Sequence, residues 1–299
     1  MTFDNAIVLF LESRTAQGCS AKTILWYGYH LRRYAAWSTE QAVGSAWLRP
    51  ETIDKFLASE RTAGLSPHTV RARYVALKAF LDWLVKREFL PSSPMDKIAR
   101  PKVPDRIPRQ TKIDEFRKLL DSIPYDRWLD LRDRVIVQFL FMSGLRREEL
   151  AGLKISDVAV FAQRITVRNG KGNKPRIVPF PETARPDLLA YLYQRPCWQG
   201  DDLFLSDDGN GSPRGVLTGE GVRQMLLRRC KKAGVRYLNP HSFRHGFAMA
   251  MLGAGAEMSS ISTLMGHASV KTTEDVYAKW LIDELQAAYN ATVKKMGTE

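Results

Sequence analysis

Residues 239–280 read NPHSFRHGFAMAMLGAGAEMSSISTLMGHASVKTTEDVYAKW. Pro240 suits the first position of a helix, so His241 and Arg244, three residues apart, leave its first turn on one face. Gly253 and Gly255 are expected to end that helix. Ser259 or Ser260 then caps a shorter one, and Gly266 stops it just before His267. Thr272 with Asp275 reads as a capping box opening a last short turn that carries Tyr277. The stretch is thus three helical pieces joined by tight turns. Joints of this kind can aim His241, Arg244, His267 and Tyr277 at one point.

Working back from there, helical patterns cover Gly219 to Ala233 and Pro186 to Tyr193. Between residues 155 and 178 the period changes from helical to alternating. Ile165 and Val167 form one short apolar alternation and Ile177 and Val178 another, separated by Asn169-Gly170-Lys171-Gly172-Asn173, a hairpin signal. With Ile155 to Val160 as a first strand, a three-stranded antiparallel sheet is expected. Ahead of it lie a helix from Lys112 to Ser122 and a strongly apolar one from Asp126 to Met142. Ser143-Gly144 breaks the second, and Leu145 to Leu150 starts a fresh turn.

The N-terminal third is helical throughout. Phe3, Ala6, Ile7, Phe10 and Leu11 fall on one helical face, and Ile24, Tyr27, Leu31 and Tyr34 on another behind Ser20. A third helix is marked by Pro50, Ile53, Phe56 and Leu57. The fourth opens on Ser66-Pro67 and turns Val70, Tyr74, Leu77, Leu81 and Leu84 inward. Residues 91–108 hold five prolines and few core candidates, the profile of a stiff linker. The expected plan is a mainly α chain with a small antiparallel sheet: a helical domain over 1–90, a linker over 91–108, and a mixed α/β domain over 109–299.

Composition narrows the partner. Of 299 residues 44% are hydrophobic and 26% charged, ordinary for a globular chain, but the net charge of +13 is not. Such an excess of cation predicts a polyanion. No apolar run approaches the roughly 20 residues of a membrane span, and the first residues lack the pattern of a secretory signal. Nucleic acid in the cytoplasm or nucleoid is the expected setting. Cys19, Cys197 and Cys230 are scattered, without the spacing of a disulfide framework or a zinc site.

The residue types of the opening stretch suit phosphoryl transfer through a covalent tyrosine: a phenol to attack, a guanidinium to hold the phosphate, imidazoles to move protons. Four motifs then stand in order: SGLRREEL at 143–150, NGKGNKPRIVP at 169–179, HSFRH at 241–245 and LMGHASVKTTEDVY at 264–277. In that order they resemble the tyrosine recombinases, the group of phage integrases and Xer-type resolvases. The departures are Ser143 for the usual Thr, Phe243 for the usual Leu, and one extra residue between His267 and Tyr277.

The resemblance implies a SAM-like core-binding domain followed by a tyrosine recombinase catalytic domain, and DNA cleavage and rejoining through a 3′-phosphotyrosine. It implies no metal, no cofactor and no ATP. Arg146 and Arg244 would clamp the scissile phosphate, with Glu149 supporting the first. Lys171 would protonate the leaving oxygen, His241 and His267 would be the active-site histidines, and Tyr277 the nucleophile. A C-terminal helix exchanged between protomers would build a homotetramer on two double-stranded DNA sites, an accessory protein setting direction. Arg71, Arg73, Lys78, Arg147, Arg176 and Arg223 are expected to contact DNA phosphates. His245 is expected to pack behind the site, and Tyr289 to sit on an amphipathic helix. The alternative is a DNA-binding accessory factor on an inactive copy of the fold; with every catalytic position filled, the sequence favours the enzyme.

Overall fold

The computed structural model describes residues 2–104, 109–168 and 175–266. The chain divides into two compact units, Met1–Arg106 and Ile107–Glu299. Lys171, His267, Tyr277, Tyr289 and the C-terminal helix lie outside the described residues.

The first unit is built from α1 (Phe3–Ala16), α2 (Ala21–Glu40), α3 (Pro50–Thr62) and α4 (Pro67–Lys86). Their starts follow from capping chemistry. The hydroxyls of Ser20 and Ser66 each accept a backbone N–H three residues on, at 3.2 Å, and Pro50 and Pro67 fill first-turn positions that need no donor. The inward stripes meet around Phe10, Leu31, Tyr34, Phe56, Leu77 and Phe80, all buried. Phe10 and Phe80 pack edge to face at 5.5 Å. Removing one such ring to Ala typically costs about 3–5 kcal/mol.

The packing of this unit continues past α4. Met95 and Ile98 are buried in the same apolar cluster, beside a short 3-10 turn at Pro94–Lys97. The prolines suggest a segment with few core residues, and these two side chains are the ones that anchor it.

Arg73, expected on the DNA-facing surface, is instead 3% exposed. Its guanidinium pairs with Glu60 at 3.0 Å and donates to His30 at 3.0 Å, and it lies against the Tyr29 ring. Glu60, 2% exposed, also accepts from Arg33 at 2.9 Å. A buried arginine is tolerated only with its charge met, and this one is met inside the helical unit. Arg71 is half-buried on α4, and Lys78 forms ion pairs with Asp82 and Asp96 at 3.2 and 3.6 Å.

The second unit is organised on α6 (Trp128–Met142), whose residues from Leu129 to Phe141 are all buried. A helix with no solvent face becomes the centre of its domain. Its polar residues are paired: Arg134 and Gln138 both donate to Asp187, at 2.9 and 2.6 Å. Around it lie α5 (Ile113–Asp121), α7 (Arg147–Ala151), α8 (Arg185–Gln194), α9 (Gly219–Lys232), α10 (Pro240–Gly253) and α11 (Met258–Met265).

The expected antiparallel sheet is present in the order β1 (Val158–Ala159), β2 (Arg164–Val167), β3 (Arg176–Pro179). Ile165 pairs with Val178, and both are buried. The first strand is shorter than the apolar run suggested, because Ile155–Asp157 coil into a 3-10 turn with the Asp157 carboxylate accepting the Lys154 N–H at 2.9 Å. A second hairpin, β4 (Leu205–Asp207) with β5 (Pro213–Val216), was not anticipated from the sequence. Among the described residues, no helix is long and apolar enough to cross a membrane.

Candidate active site

Three turns of backbone build the site. The first follows α6. Gly144 takes φ +61°, and a Cβ there would stand 2.5 Å from the Phe247 ring, so the turn needs glycine for both its conformation and its contact. It delivers Arg146 to the start of α7, where the Glu149 carboxylate accepts the Arg146 backbone N–H at 2.8 Å.

The second is the start of α10. The Asn239 side chain accepts the Ser242 N–H at 2.9 Å, and Pro240 occupies the first turn. The helix is held against the segment leading into α5, where Thr111 donates its N–H to Ser242 O at 2.8 Å. A Cβ on Gly246 would lie 2.3 Å from Thr111 O, so this close approach requires a glycine. His241 and Arg244 project from the resulting first turn. Arg244 is 5% exposed, whereas His241 is exposed.

The third is the C-terminus of α11, closed by Gly266 in the left-handed region at φ 62°. Its N-cap is Glu257, two or three residues ahead of the Ser259 or Ser260 that the sequence suggests.

These turns converge through their carbonyls. Arg176 donates Nε–H to Leu264 O at 2.9 Å, Arg244 donates Nη2–H to Met265 O at 2.5 Å, and Arg146 donates Nη2–H to Gly266 O at 2.9 Å. The last carbonyls of a helix have no partner within it and carry the negative end of its dipole. Here three in succession each receive a guanidinium. Arg244 also donates to Gly144 O, which ties the first turn to the second and third.

Glu149 lies at the centre of the cationic group. It accepts from Arg146 Nη1 at 2.8 Å and takes two parallel bonds from Arg176, at 2.9 and 2.7 Å. Burial opposes its charge, but the bonds from Arg176 and from the Arg146 backbone and side chain outweigh that and hold its carboxyl down at about 2. The Arg176 side chain is 10% exposed, with all three guanidinium nitrogens bonded inside the protein, which differs from the outward phosphate contact expected of it.

His241 sits in a field of like charge. Its pKa is lowered from the ordinary 6.5, first by crowding of the ring by protein and then by Arg244, Arg147 and Arg146. The residue is nonetheless exposed, and the loss of hydration together with the three nearby guanidiniums favours its neutral form. His245, one residue past Arg244, is pushed down to about 4, chiefly by burial. Arg147 pairs with Glu148 at 2.6 Å and Arg223 with Glu220 at 2.7 Å, both on partly exposed helix faces.

The structure thus brings Arg146, Arg244, Glu149 and His241 together and adds Arg176, whose strand position gave no sequence signal of this partnership. Such a group can hold an oxyanion with fixed, always-charged donors while a neutral imidazole stands beside it.

The phage integrase family matches residues 109–281, and the phage integrase N-terminal SAM-like domain matches residues 7–88. The tyrosine recombinase XerD of Listeria monocytogenes is 34% identical over 271 residues, covering 86% of this chain and 88% of the relative. Tyrosine recombinase XerA of Thermococcus kodakarensis is 34% identical over 272 residues, covering 91% and 89%. Among solved structures, the XerH site-specific recombinase bound to its palindromic difH substrate superposes with a TM-score of 0.74 at 21% identity, covering 94% of this chain and 82% of that one. The Tn1549 transposon integrase in complex with circular intermediate DNA gives 0.73 at 19%, covering 93% and 95%, a likeness of fold. The chain belongs to the phage integrase family and is a tyrosine-type site-specific recombinase.

Proposed function

We propose that the arginine cluster is the scissile-phosphate site of this recombinase. DNA would be cut when the Tyr277 hydroxyl attacks a backbone phosphorus, forming a 3′-phosphotyrosine and releasing a 5′ hydroxyl; attack by a 5′ hydroxyl from another strand then reseals the backbone. The bond energy is kept in the phosphotyrosine, so rejoining needs no ATP.

The observation that carries this reading is the convergence of Arg146 and Arg244 on the adjacent carbonyls of Gly266 and Met265. Two guanidiniums set in register can bind the non-bridging oxygens as negative charge grows on them, without being deprotonated. His241, kept neutral by its surroundings, is placed to accept or share a proton near that phosphate. His267 follows Gly266 directly in sequence, and Lys171 falls between β2 and β3 in the sequence. We assign these two, with Tyr277, to proton transfer and attack on the strength of the family motifs.

The basic balance of the chain and the DNA complexes among its structural neighbours support a double-stranded recombination site as partner. Arg71, Lys78, Arg147 and Arg223 are proposed phosphate contacts. We further propose a helical DNA-binding domain followed by a catalytic domain, a tetramer on two sites joined through the C-terminal segment, an accessory protein that sets direction, and action on DNA in the cytoplasm.

The test is a nicked suicide substrate carrying the target site, from which the cleaved strand cannot be resealed. Wild-type protein should form a covalent adduct and Tyr277→Phe none. An adduct that persists in Tyr277→Phe removes the nucleophile assignment. DNA binding without any adduct from wild-type protein would instead favour an accessory DNA-binding factor.

A further inference from the structure

Arg176 meets the Glu149 carboxylate through two parallel bonds of 2.9 and 2.7 Å and the Leu264 carbonyl through a third of 2.9 Å. It starts β3, whereas Glu149 is on α7 and Leu264 is in the last turn of α11. One side chain therefore joins three elements, and two of them hold Arg146: Glu149 accepts from Arg146 Nη1 and Gly266 O from its Nη2. Gly266 is fitted to the same guanidinium, since a Cβ there would come within 3.0 Å of Arg176 Cδ and Nη1.

Resting on the recombinase reading above, we propose that Arg176 is a positioning residue for the cleavage step: it orients Arg146 through Glu149 and fixes the α11 turn, and it does not bind DNA. The charge balance explains why an arginine is required. Glu149 alone would neutralise Arg146 one to one and draw its guanidinium away from a phosphate. A second guanidinium on the same carboxylate leaves the cluster cationic while Arg146 keeps a fixed partner. The bidentate geometry also sets the plane of the carboxylate, and so the direction from which Arg146 must approach it. Lysine has no planar fork and could not make the Glu149 pair and the Leu264 bond together.

The experiment compares Arg176→Lys, Arg176→Gln and Glu149→Gln with wild-type protein in three measurements. These are the salt dependence of DNA binding, the single-turnover rate of adduct formation at saturating suicide substrate, and the thermal unfolding midpoint. A small misplacement of a phosphate-holding group costs up to about a hundredfold in rate. Adduct formation should therefore fall about ten- to a hundredfold in each variant, with Arg176→Lys failing to restore it. The Glu149→Gln and Arg176→Gln effects should not add in the double variant.

DNA affinity and the slope of log K against log salt should stay at wild-type values, because loss of a phosphate contact would lower that slope by about 0.9. A lowered slope with an unchanged saturating rate would make Arg176 a phosphate contact and overturn the proposal. A lowered melting temperature with an unchanged rate below the melt would make it purely structural and overturn it equally. Should wild-type protein form no adduct, the recombinase reading fails; the salt slope still decides the placement of Arg176, since a drop of about 0.9 refutes it and no change upholds the internal clamp.

Discussion

Arg146 and Arg244 bond to neighbouring carbonyls of one helix end, those of Gly266 and Met265, so a single turn of backbone sets the spacing between two guanidiniums that come from distant parts of the chain. Arg244 adds a bond to Gly144 O. A lysine at position 244 keeps the charge but cannot span both carbonyls. Arg244→Lys is expected to bind target DNA at close to wild-type affinity and to form the covalent adduct about a hundredfold more slowly. Quantifying both on the suicide substrate checks this, and an undiminished rate would show that the clamp takes no part in cleavage.

The turn that presents Arg146 should be equally intolerant. Gly144→Ala asks a residue with a Cβ to hold φ +61° and to share space with the Phe247 ring. The left-handed conformation alone costs about 1–2 kcal/mol, and the contact adds to it. We expect a lower melting temperature together with slower cleavage, because any shift that relieves the contact moves Gly144 O, the acceptor for Arg244. A Gly144→Ala variant that melts at the wild-type temperature and cleaves at the full rate would contradict this.

His241 gives a prediction in pH. Its pKa lies below the usual 6.5 by crowding and by the charges of Arg244, Arg147 and Arg146, so the folded protein keeps it neutral at neutral pH and protonates it only at lower pH. The rate at subsaturating DNA reports the free enzyme, and its acid limb should fall below 6.5. Arg147→Gln removes one of the three charges. The pKa should then move back toward 6.5 and the acid limb shift to higher pH, a direction a merely weakened DNA contact would not produce.

Much of the fold could be read from local chemistry. Ser20, Ser66, Pro50 and Pro67 announce helices by what they do for orphan N–H groups, and Gly266 announces an end because glycine takes the left-handed conformation without penalty. The inward stripe on α4 was readable for the same reason: period and burial coincide. What escaped the sequence depends on distant partners. Arg73 looks like any surface cation until Glu60 and His30 are seen around it, and Arg176 until Glu149 and Leu264 O are. Charge predicts a counter-charge but not its place. The β4–β5 hairpin, Leu205–Asp207 with Pro213–Val216, offers no apolar alternation, and Pro213 and Gly215 in its second strand read as turn residues. Of the site, Arg146, Glu149, His241 and Arg244 were legible by motif, whereas the three-carbonyl register that aligns the arginines has no side-chain signature at all.

Arg73 is the sharpest case for testing burial against surface chemistry. Among the described residues, Arg73→Met would leave Glu60, 2% exposed, with Arg33 as its remaining ion-pair partner. Breaking a buried pair by removing one member typically costs about 3–5 kcal/mol. We expect destabilisation of that order in urea unfolding, with the salt slope of DNA binding unchanged in the protein that remains folded. A stable Arg73→Met variant with a reduced slope would return Arg73 to the DNA surface.

The same network makes the helical unit acid-sensitive. Arg73 Nη1 bonds to His30 Nδ1 at 3.0 Å, and since a guanidinium can only donate, the ring nitrogen must be an unprotonated acceptor. Burial first and the Arg73 charge second, against a partial rise from Glu60, lower the His30 pKa from 6.5 to about 4. Above 6.5 neither the folded nor the unfolded chain holds the proton, so His30 contributes no pH dependence there. Between 6.5 and about 4 the unfolded chain binds a proton that the folded one refuses, and stability is lost as the pH falls. Below about 4 both forms are protonated and the loss levels off. Within the window the slope approaches about 1.4 kcal/mol per pH unit for one group. His30→Gln keeps an acceptor for Arg73 but cannot titrate, so urea midpoints measured across the window should fall less steeply than those of wild-type protein. Parallel curves for the two would mean that His30 already accepts its proton in the folded state and that the Arg73 bond does not hold it neutral.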